Sequence, residues 1–450
     1  MVQRLNLAIG SIRGGVERYR RVLGERNVAL LLGAGLASEI GDWLNTVALI
    51  AISYRLGDGA LGVGGFLAIR MVPRLLFQGP AGALVDRWPG HRLLILSQLM
   101  LAVIAGLFAL LTTYPSLWLL YLLVFSLETA STLARPAFMV ALQTAAPPEW
   151  RPAANGLFFA GMTTAQFIGP LLGAVLLVPL GTAAFFLFNA VTFLCVAFAI
   201  TQLRGHAMST AEPGSASGEI AATPATAPPP VPGGVGYAEL LKRGELSLYA
   251  LISLSLSLLV QATIALFVVR AIVLGLGEGG VGIFYAAVGT GSLIGSVVAG
   301  AGSHGERGTL FPVAIAMALC AASLALFGVA GSTLLALIAL AIAGFTTNFH
   351  EVVAISYFQH RLPESLFGRF FSLFLMALSA GALIGALLGP ALERQRGVAV
   401  TLTGLALPAL LLAVVLASVS VRSSSRRGTV TRGAASFDPG GPPRRPRRSE

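Results

Sequence analysis

Glu39 and Asp42 stand three residues apart and are the only charged residues between positions 28 and 54. At i and i+3 of a helix they share one face. Two carboxylates held close in a poorly polar medium cannot both ionise cheaply, so one of them holds a proton. That arrangement suits the binding and release of a proton. Arg70, in the next apolar run, could neutralise one of the two, which would make the group a static ion pair instead. Glu128 and Arg135 are seven residues apart in a later run, again on one face, and could pair within their own helix. His350 and Glu351 are neighbours in a further run. A charge at the centre of a bilayer costs about 2.5–3.5 kcal/mol on insertion scales, so such side chains face a wet cavity or a partner. His350 suits a satisfied polar residue as well as a proton carrier. The chain has no phosphate-binding glycine loop, metal-ligand cluster or nucleophile–base set. Neither an enzyme nor a primary pump is expected, nor a resident metal or cofactor.

The elements that position these charges follow from composition. Of 450 residues 56% are apolar and 11% charged, with a mean hydropathy of +0.82; soluble domains carry roughly 25% charged residues. Runs of about 20 apolar residues are membrane spans, and the absence of period-2 alternation makes them helices. The spacing predicts twelve: 28–54, 60–81, 93–113, 117–139, 154–178, 182–203, 247–270, 280–301, 310–330, 334–357, 368–391 and 399–421. The expected fold is an all-α polytopic membrane protein, two six-helix pseudo-repeats around a central cavity. Residues 1–27 form an N-terminal tail, 28–203 and 247–421 the two halves, and 422–450 a disordered basic tail. A Pro/Ala/Gly-rich stretch within 204–246 reads as a flexible linker. Arg270 and Arg369 fall at helix ends, where long basic side chains snorkel. Cys195 and Cys320 lie in apolar runs, as free thiols would.

The net charge of +11 is topological, and no nucleic-acid partner is expected. With both termini and the even-numbered loops on one side, that side holds 23 of the Lys and Arg residues and the other holds Arg55, Arg394 and Arg396. This asymmetry predicts cytoplasmic termini and a multi-pass protein of a bacterial plasma membrane. The halves also repeat at a constant offset of 216: Ala165, Gly169 and Gly173 against Gly381, Gly385 and Gly389, Gln143 against Gln359, and Pro147 against Pro363. Glycines every fourth residue let helices approach closely. Arg135 and Glu351 share the offset, which places them at equivalent depths in spans 4 and 10 and makes them a gate pair that meets only when the cytoplasmic side closes.

Between spans 2 and 3 runs Gly82-Ala-Leu-Val-Asp86-Arg87-Trp-Pro-Gly-His-Arg92, echoed after span 8 by Gly302, Glu306 and Arg307. This resembles the loop signature G-x-x-x-D-R-x-G-R-R of the major facilitator superfamily, departing from it after Arg87 by one extra residue and by His91. Gly169-Pro170-Leu-Leu-Gly173-Ala174 resembles that superfamily's antiporter motif, with Ala174 in place of a glycine. The stretch from Arg135-Pro136-Ala137 through Pro148-Glu149 to Ala154-Asn155-Gly156 is similar to the branch containing macrolide-efflux proteins and the enterobactin exporter. The resemblance implies a charge latch at Asp86 and Arg87, packing of helix 5 on helix 8 with Gly291 and Gly295 on offer, and a cavity lined by helices 1, 4, 7 and 10. It also implies a monomeric exporter of small organic molecules working by proton antiport. A uniporter or importer of a small solute, or a transporter-like sensor, is the alternative. Phe66, Phe158 and Phe374 suit amphipathic cargo in that cavity or plain packing.

Overall fold

The computed structural model describes residues 19–87, 90–203, 244–301, 311–362 and 364–434. The first half contains α1 (Arg26–Leu56), α2 (Ala60–Arg87), α3 (Gly90–Leu107, followed by a 3-10 turn over Phe108–Thr112) and α4 (Leu117–Ala145). The long helix Arg151–Thr201 is broken at Gly181 (φ 72, ψ 168) into α5 (151–180) and α6 (182–201). In the second half, α7 (Gly244–Ala265) continues through a kink into Phe267–Val273, followed by α8 (Gly280–Ala301), α9 (Phe311–Val329) and α10 (Thr333–Arg361). Glu364–Ala434 is broken at Gly397 (φ 76, ψ 165) into α11 (364–396) and α12 (398–434). Gly181 and Gly397 stand 216 residues apart, at the offset of the sequence repeat. Both hold a backbone conformation essentially reserved to glycine, so each reverses the chain between the last two helices of its half.

Nine stretches among the described residues are long and apolar enough to cross a membrane by length and composition. Two of them contain the hairpins at Gly181 and Gly397, and α1, with its two carboxylates, completes the twelve. α12 runs to Ala434, past the end read at 421. Most of the linker (204–243) and the last residues of the tail (435–450) lie outside the described residues.

The packing repeats as the sequence does. α1 lies on α5 as α7 lies on α11, α2 on α4 as α8 on α10, and α3 on α6 as α9 on α12. The glycine ladders face inward within their halves. A Cβ at Gly169 would meet Trp43 Cβ at 2.5 Å and one at Gly173 would meet Val47 at 3.2 Å, both on α1; Gly381 and Gly385 similarly seat the α7 carbonyls of Leu254 and Leu258. Gly291 and Gly295, expected on helix 5, instead seat the α10 backbone at Ala341 and Phe345. The spacing announces a close partner without naming it. Helix 5 does pack on helix 8, through Gly282 against the Pro170 carbonyl and Gly289 against Phe167.

With six helices in each half, the start of α1, the end of α6, the start of α7 and the end of α12 share one end of the bundle, here the proximal end. Contacts described between the halves gather toward the distal end. Gly64 of α2 meets the Ala386 carbonyl and Pro390 of α11, and Gly279 meets the Ala174 carbonyl. Trp43 stands edge-on to Tyr285 with centroids 5.4 Å apart. Beyond them Arg55 forks onto Glu278 at 2.5–2.9 Å, and Arg394 reaches Asp58 at 2.7 Å. Gly282 is the tightest of these contacts: its Cβ would stand 2.1 Å from the Pro170 carbonyl oxygen. Gly282→Leu is therefore expected to disfavour distal closure. Spin labels across the distal end should report a longer mean distance than in the parent protein, and an unchanged distribution would refute this packing.

Candidate functional site

Two arginines of α2 at i and i+4, Arg70 and Arg74, close on one carboxylate of α4. Arg70 Nε donates to Glu128 Oε1 at 2.6 Å. Arg74 donates to Glu128 Oε2 through Nη2 at 2.9 Å and Nε at 3.1 Å. The Glu128 side chain is 5% exposed, and charge-assisted, bidentate contact is what permits an ionised carboxylate there. Arg70 also lies 5.5 Å from the ring centre of Phe66 and reaches Thr46 Oγ1 at 3.4 Å; Thr46 in turn donates to the Asp42 carbonyl.

The α1 carboxylates have other partners. Arg135 Nη2 stands 3.5 Å from Glu39 Oε1, a long pair whose arginine side chain is 58% exposed. Asp42 Oδ1 accepts from Asn189 Nδ2 of α6 at 3.1 Å. Asn189 is fully buried, and Gly41 lets it approach, since a Cβ there would lie 2.6 Å from Asn189 Oδ1 and 2.8 Å from Thr192 Oγ1. Among the described residues Glu128 is thus paired with two cations and Glu39 with one at arm's length, while Asp42 makes no ion pair and its side chain is held by a neutral amide, with Arg70 and Arg135 acting on it from farther off. Arg74, 47% exposed, and Arg135 sit well inside the bundle yet reach open space. Among the described residues, the closest contacts between the halves lie toward the distal end.

This geometry corrects several expected pairings. Arg70 makes its direct ion pair with Glu128 rather than with Glu39 or Asp42, the latter of which it influences only from farther off, because the turn that brings Arg74 to Glu128 brings Arg70 with it. Arg135 pairs with Glu39 rather than with Glu128 two turns earlier on its own helix. The Arg135–Glu351 pair, expected only in the closed state, is not made in the state described. Among the described residues no hydrogen bond or ion pair reaches Glu351. His350 is 5% exposed, its Nδ1 3.0 Å from the Thr346 carbonyl, which is a satisfied core histidine. Phe66, Phe158 and Phe374 are buried; Phe158 stacks on Phe138 and Phe374 on Tyr249, so they pack rather than line the cavity. Arg270 does not snorkel: it is 7% exposed, donates to the Ala330 carbonyl and lies over the Phe327 ring. Both cysteines are free, Cys320 buried and Cys195 exposed.

Gly82, Asp86 and Arg87 end α2, but their side chains fall outside the described residues, as do Gly302, Glu306 and Arg307 entirely. Arg92 is exposed in the first turns of α3. Gly169 and Gly173 serve the α1–α5 contact while the carbonyl of Pro170 serves α5–α8. Asn189 was not among the residues singled out from sequence, and Arg74, a charge inside span 2, was assigned no partner. A lone asparagine in the run Phe185–Phe198, apolar but for Thr192, is the signal that could have found the first.

No group of three or more His, Cys, Asp or Glu among the described residues could hold a metal ion. The arrangement offers a carboxylate without an ion-pair partner and guanidinium groups that reach open space.

Solved transporters share this architecture. The nucleoside transporter NupG aligns with a TM-score of 0.65 at 12% identity over 87% of this chain and 98% of that one. The POT family transporter PepTSo aligns with a TM-score of 0.64 at 13% identity over 89% and 99%. A bacterial homolog of the human lysosomal transporter Spinster, solved inward-facing and unoccupied, aligns with a TM-score of 0.62 at 13% identity over 87% and 96%. At these identities the likeness shows the fold. No curated protein matches the chain. The family model of the Major Facilitator Superfamily matches residues 31–386, from the first turns of α1 through most of α11, and on that match the chain belongs to the Major Facilitator Superfamily of membrane transporters.

Proposed function

We propose that the protein exports small organic molecules (a drug, a siderophore or a secondary metabolite) from a bacterial cell in exchange for protons, by alternating access. The observation that carries this reading is Asp42, a carboxylate in the central cavity whose hydrogen-bond partner is the neutral amide of Asn189. A desolvated carboxylate without a direct ion-pair partner can take up a proton at modest cost; Glu128, held by two arginines, is already neutralised. With the termini in the cytoplasm, as the arginine asymmetry supports, the distal contacts between the halves fall on the outer side, which supports reading the state as open inward. Substrate enters the cavity from the cytoplasm as Asp42 releases its proton there. Closure brings Arg135 toward Glu351, and the distal pairs Arg55–Glu278 and Arg394–Asp58 part. The latch at Asp86 and Arg87 belongs to the same closed state. The resemblance of Gly169-Pro170-Leu-Leu-Gly173 to the antiporter motif and of the span 4–5 region to the macrolide-efflux branch supports export over import. The monomer, with its cavity enclosed by its own two halves, suffices as the working unit.

The test compares accumulation of radiolabelled macrolides and siderophores in cells with and without the protein. Export predicts lower steady-state accumulation of at least one compound in expressing cells, restored by a protonophore. Higher accumulation in expressing cells would establish import.

A further inference from the structure

We propose that a crevice between α1 and α6, at the proximal end of the bundle, binds one anionic phospholipid, with an acyl chain in the crevice and the phosphate on Arg26. The two helices touch at Gly41, where Asn189 and Thr192 come within 3 Å of a built Cβ, and part toward the proximal end: at Gly33, two turns away, a Cβ would meet nothing within 4 Å. The crevice left between them has a volume of about 570 Å³ and is walled by apolar side chains, among them Leu30, Val191, Leu194 and Phe198. Val191, Leu194 and Phe198 are 46–65% exposed on the outer face of the bundle, so the crevice opens to the hydrocarbon of a bilayer.

Its mouth is polar and basic. Arg26 is the first residue of α1, exposed, and precedes Ala29, Leu30 and Gly33 by three, four and seven residues, the spacing of a single helical face. On α6 the same spacing carries Cys195 and Phe198 on to exposed Gln202. Residues 19–24 form a helical turn ahead of α1 in which Val22 is fully buried while Tyr19 and Leu23 are 44% and 50% exposed, with Arg20 exposed beside them. Outward aromatic, aliphatic and basic side chains at the end of a membrane bundle sit at the level of lipid headgroups. Glu25 is the acid that accompanies Arg20, Arg21 and Arg26 in this stretch, so the mouth keeps a positive balance. An apolar slot ending in arginine matches a chain that ends in a phosphate, and a free phosphate ion would leave the slot unfilled.

Native mass spectrometry of the purified full-length protein tests this with dioleoyl phosphatidylglycerol, dioleoyl phosphatidylcholine and inorganic phosphate. The phosphatidylglycerol adduct should form at about fivefold lower lipid concentration than the phosphatidylcholine adduct, the worth of one basic side chain at an anionic surface. Arg26→Gln should erase the difference, and Gly33→Leu, which fills the crevice, should remove both adducts. In the unmutated protein Cys195, exposed in the crevice, should be alkylated by a maleimide more slowly with phosphatidylglycerol than with phosphatidylcholine. Equal binding of the two lipids, a preference that survives Arg26→Gln, displacement of phosphatidylglycerol by phosphate, or Cys195 alkylation indifferent to phosphatidylglycerol would each overturn the proposal.

Discussion

Asp42→Asn is expected to yield a protein that folds, reaches the membrane and lets substrate equilibrate, yet sustains no substrate gradient. Asparagine matches aspartate in shape and keeps the Oδ1 that accepts from Asn189, so the α1–α6 contact through Gly41 survives. What it removes is the exchangeable proton. A charge moving through about 100 mV does about 2.3 kcal/mol of work, equivalent to about a 50-fold concentration ratio. The variant should lose that factor, while exchange of labelled for unlabelled substrate persists. Retention of the full gradient would move the proton site elsewhere, with Glu39 the first alternative because its pair with Arg135 is the loosest in the cluster.

Glu128→Gln should be the most destabilising conservative change in the cavity. It takes the only carboxylate described beside Arg70 and Arg74 and leaves two guanidinium groups facing one another. Breaking a buried pair by removing one partner costs about 3–5 kcal/mol. Arg74 is about half exposed, so water recovers part of the loss and about 3 kcal/mol is expected here. Thermal unfolding of the purified protein should fall accordingly, and Glu128→Gln combined with Arg74→Gln should recover some of the stability, since one surplus cation is gone. Neutralising Arg135, which acts on Arg74 only from a distance, should recover less. Greater recovery with Arg135 would mean that Glu128 belongs to the pair first suggested by its position in α4.

The sequence made the helices legible because membrane spans are local: each is a run whose length and apolarity need no knowledge of its neighbours. The repeat was legible for the same reason, and the offset of 216 reappears in the twin hairpin glycines Gly181 and Gly397. Partnerships were not legible. Glu128 and Arg135 share a helix face, so local spacing suggested that they pair. The true partner of Glu128 lies 58 residues earlier in the chain, brought there by α2–α4 packing. Glycine ladders likewise announce a close approach but carry no address, so Gly291 and Gly295 were assigned to α5 when they serve α10. Asn189 was missed because charge was the signal followed into the membrane; an uncharged amide that completes a carboxylate's hydrogen bonding carries no such mark.

Exchange of a proton against substrate at Asp42 is measured most directly in proteoliposomes of the purified protein, loaded at acidic pH and diluted into alkaline buffer containing a compound found in the accumulation assay. The outward proton gradient should drive that compound inward above its equilibrium level, and reversing the gradient should drive it out, with both effects absent in Asp42→Asn. Uptake that follows the protons in the same direction, or that is indifferent to the gradient, would contradict antiport.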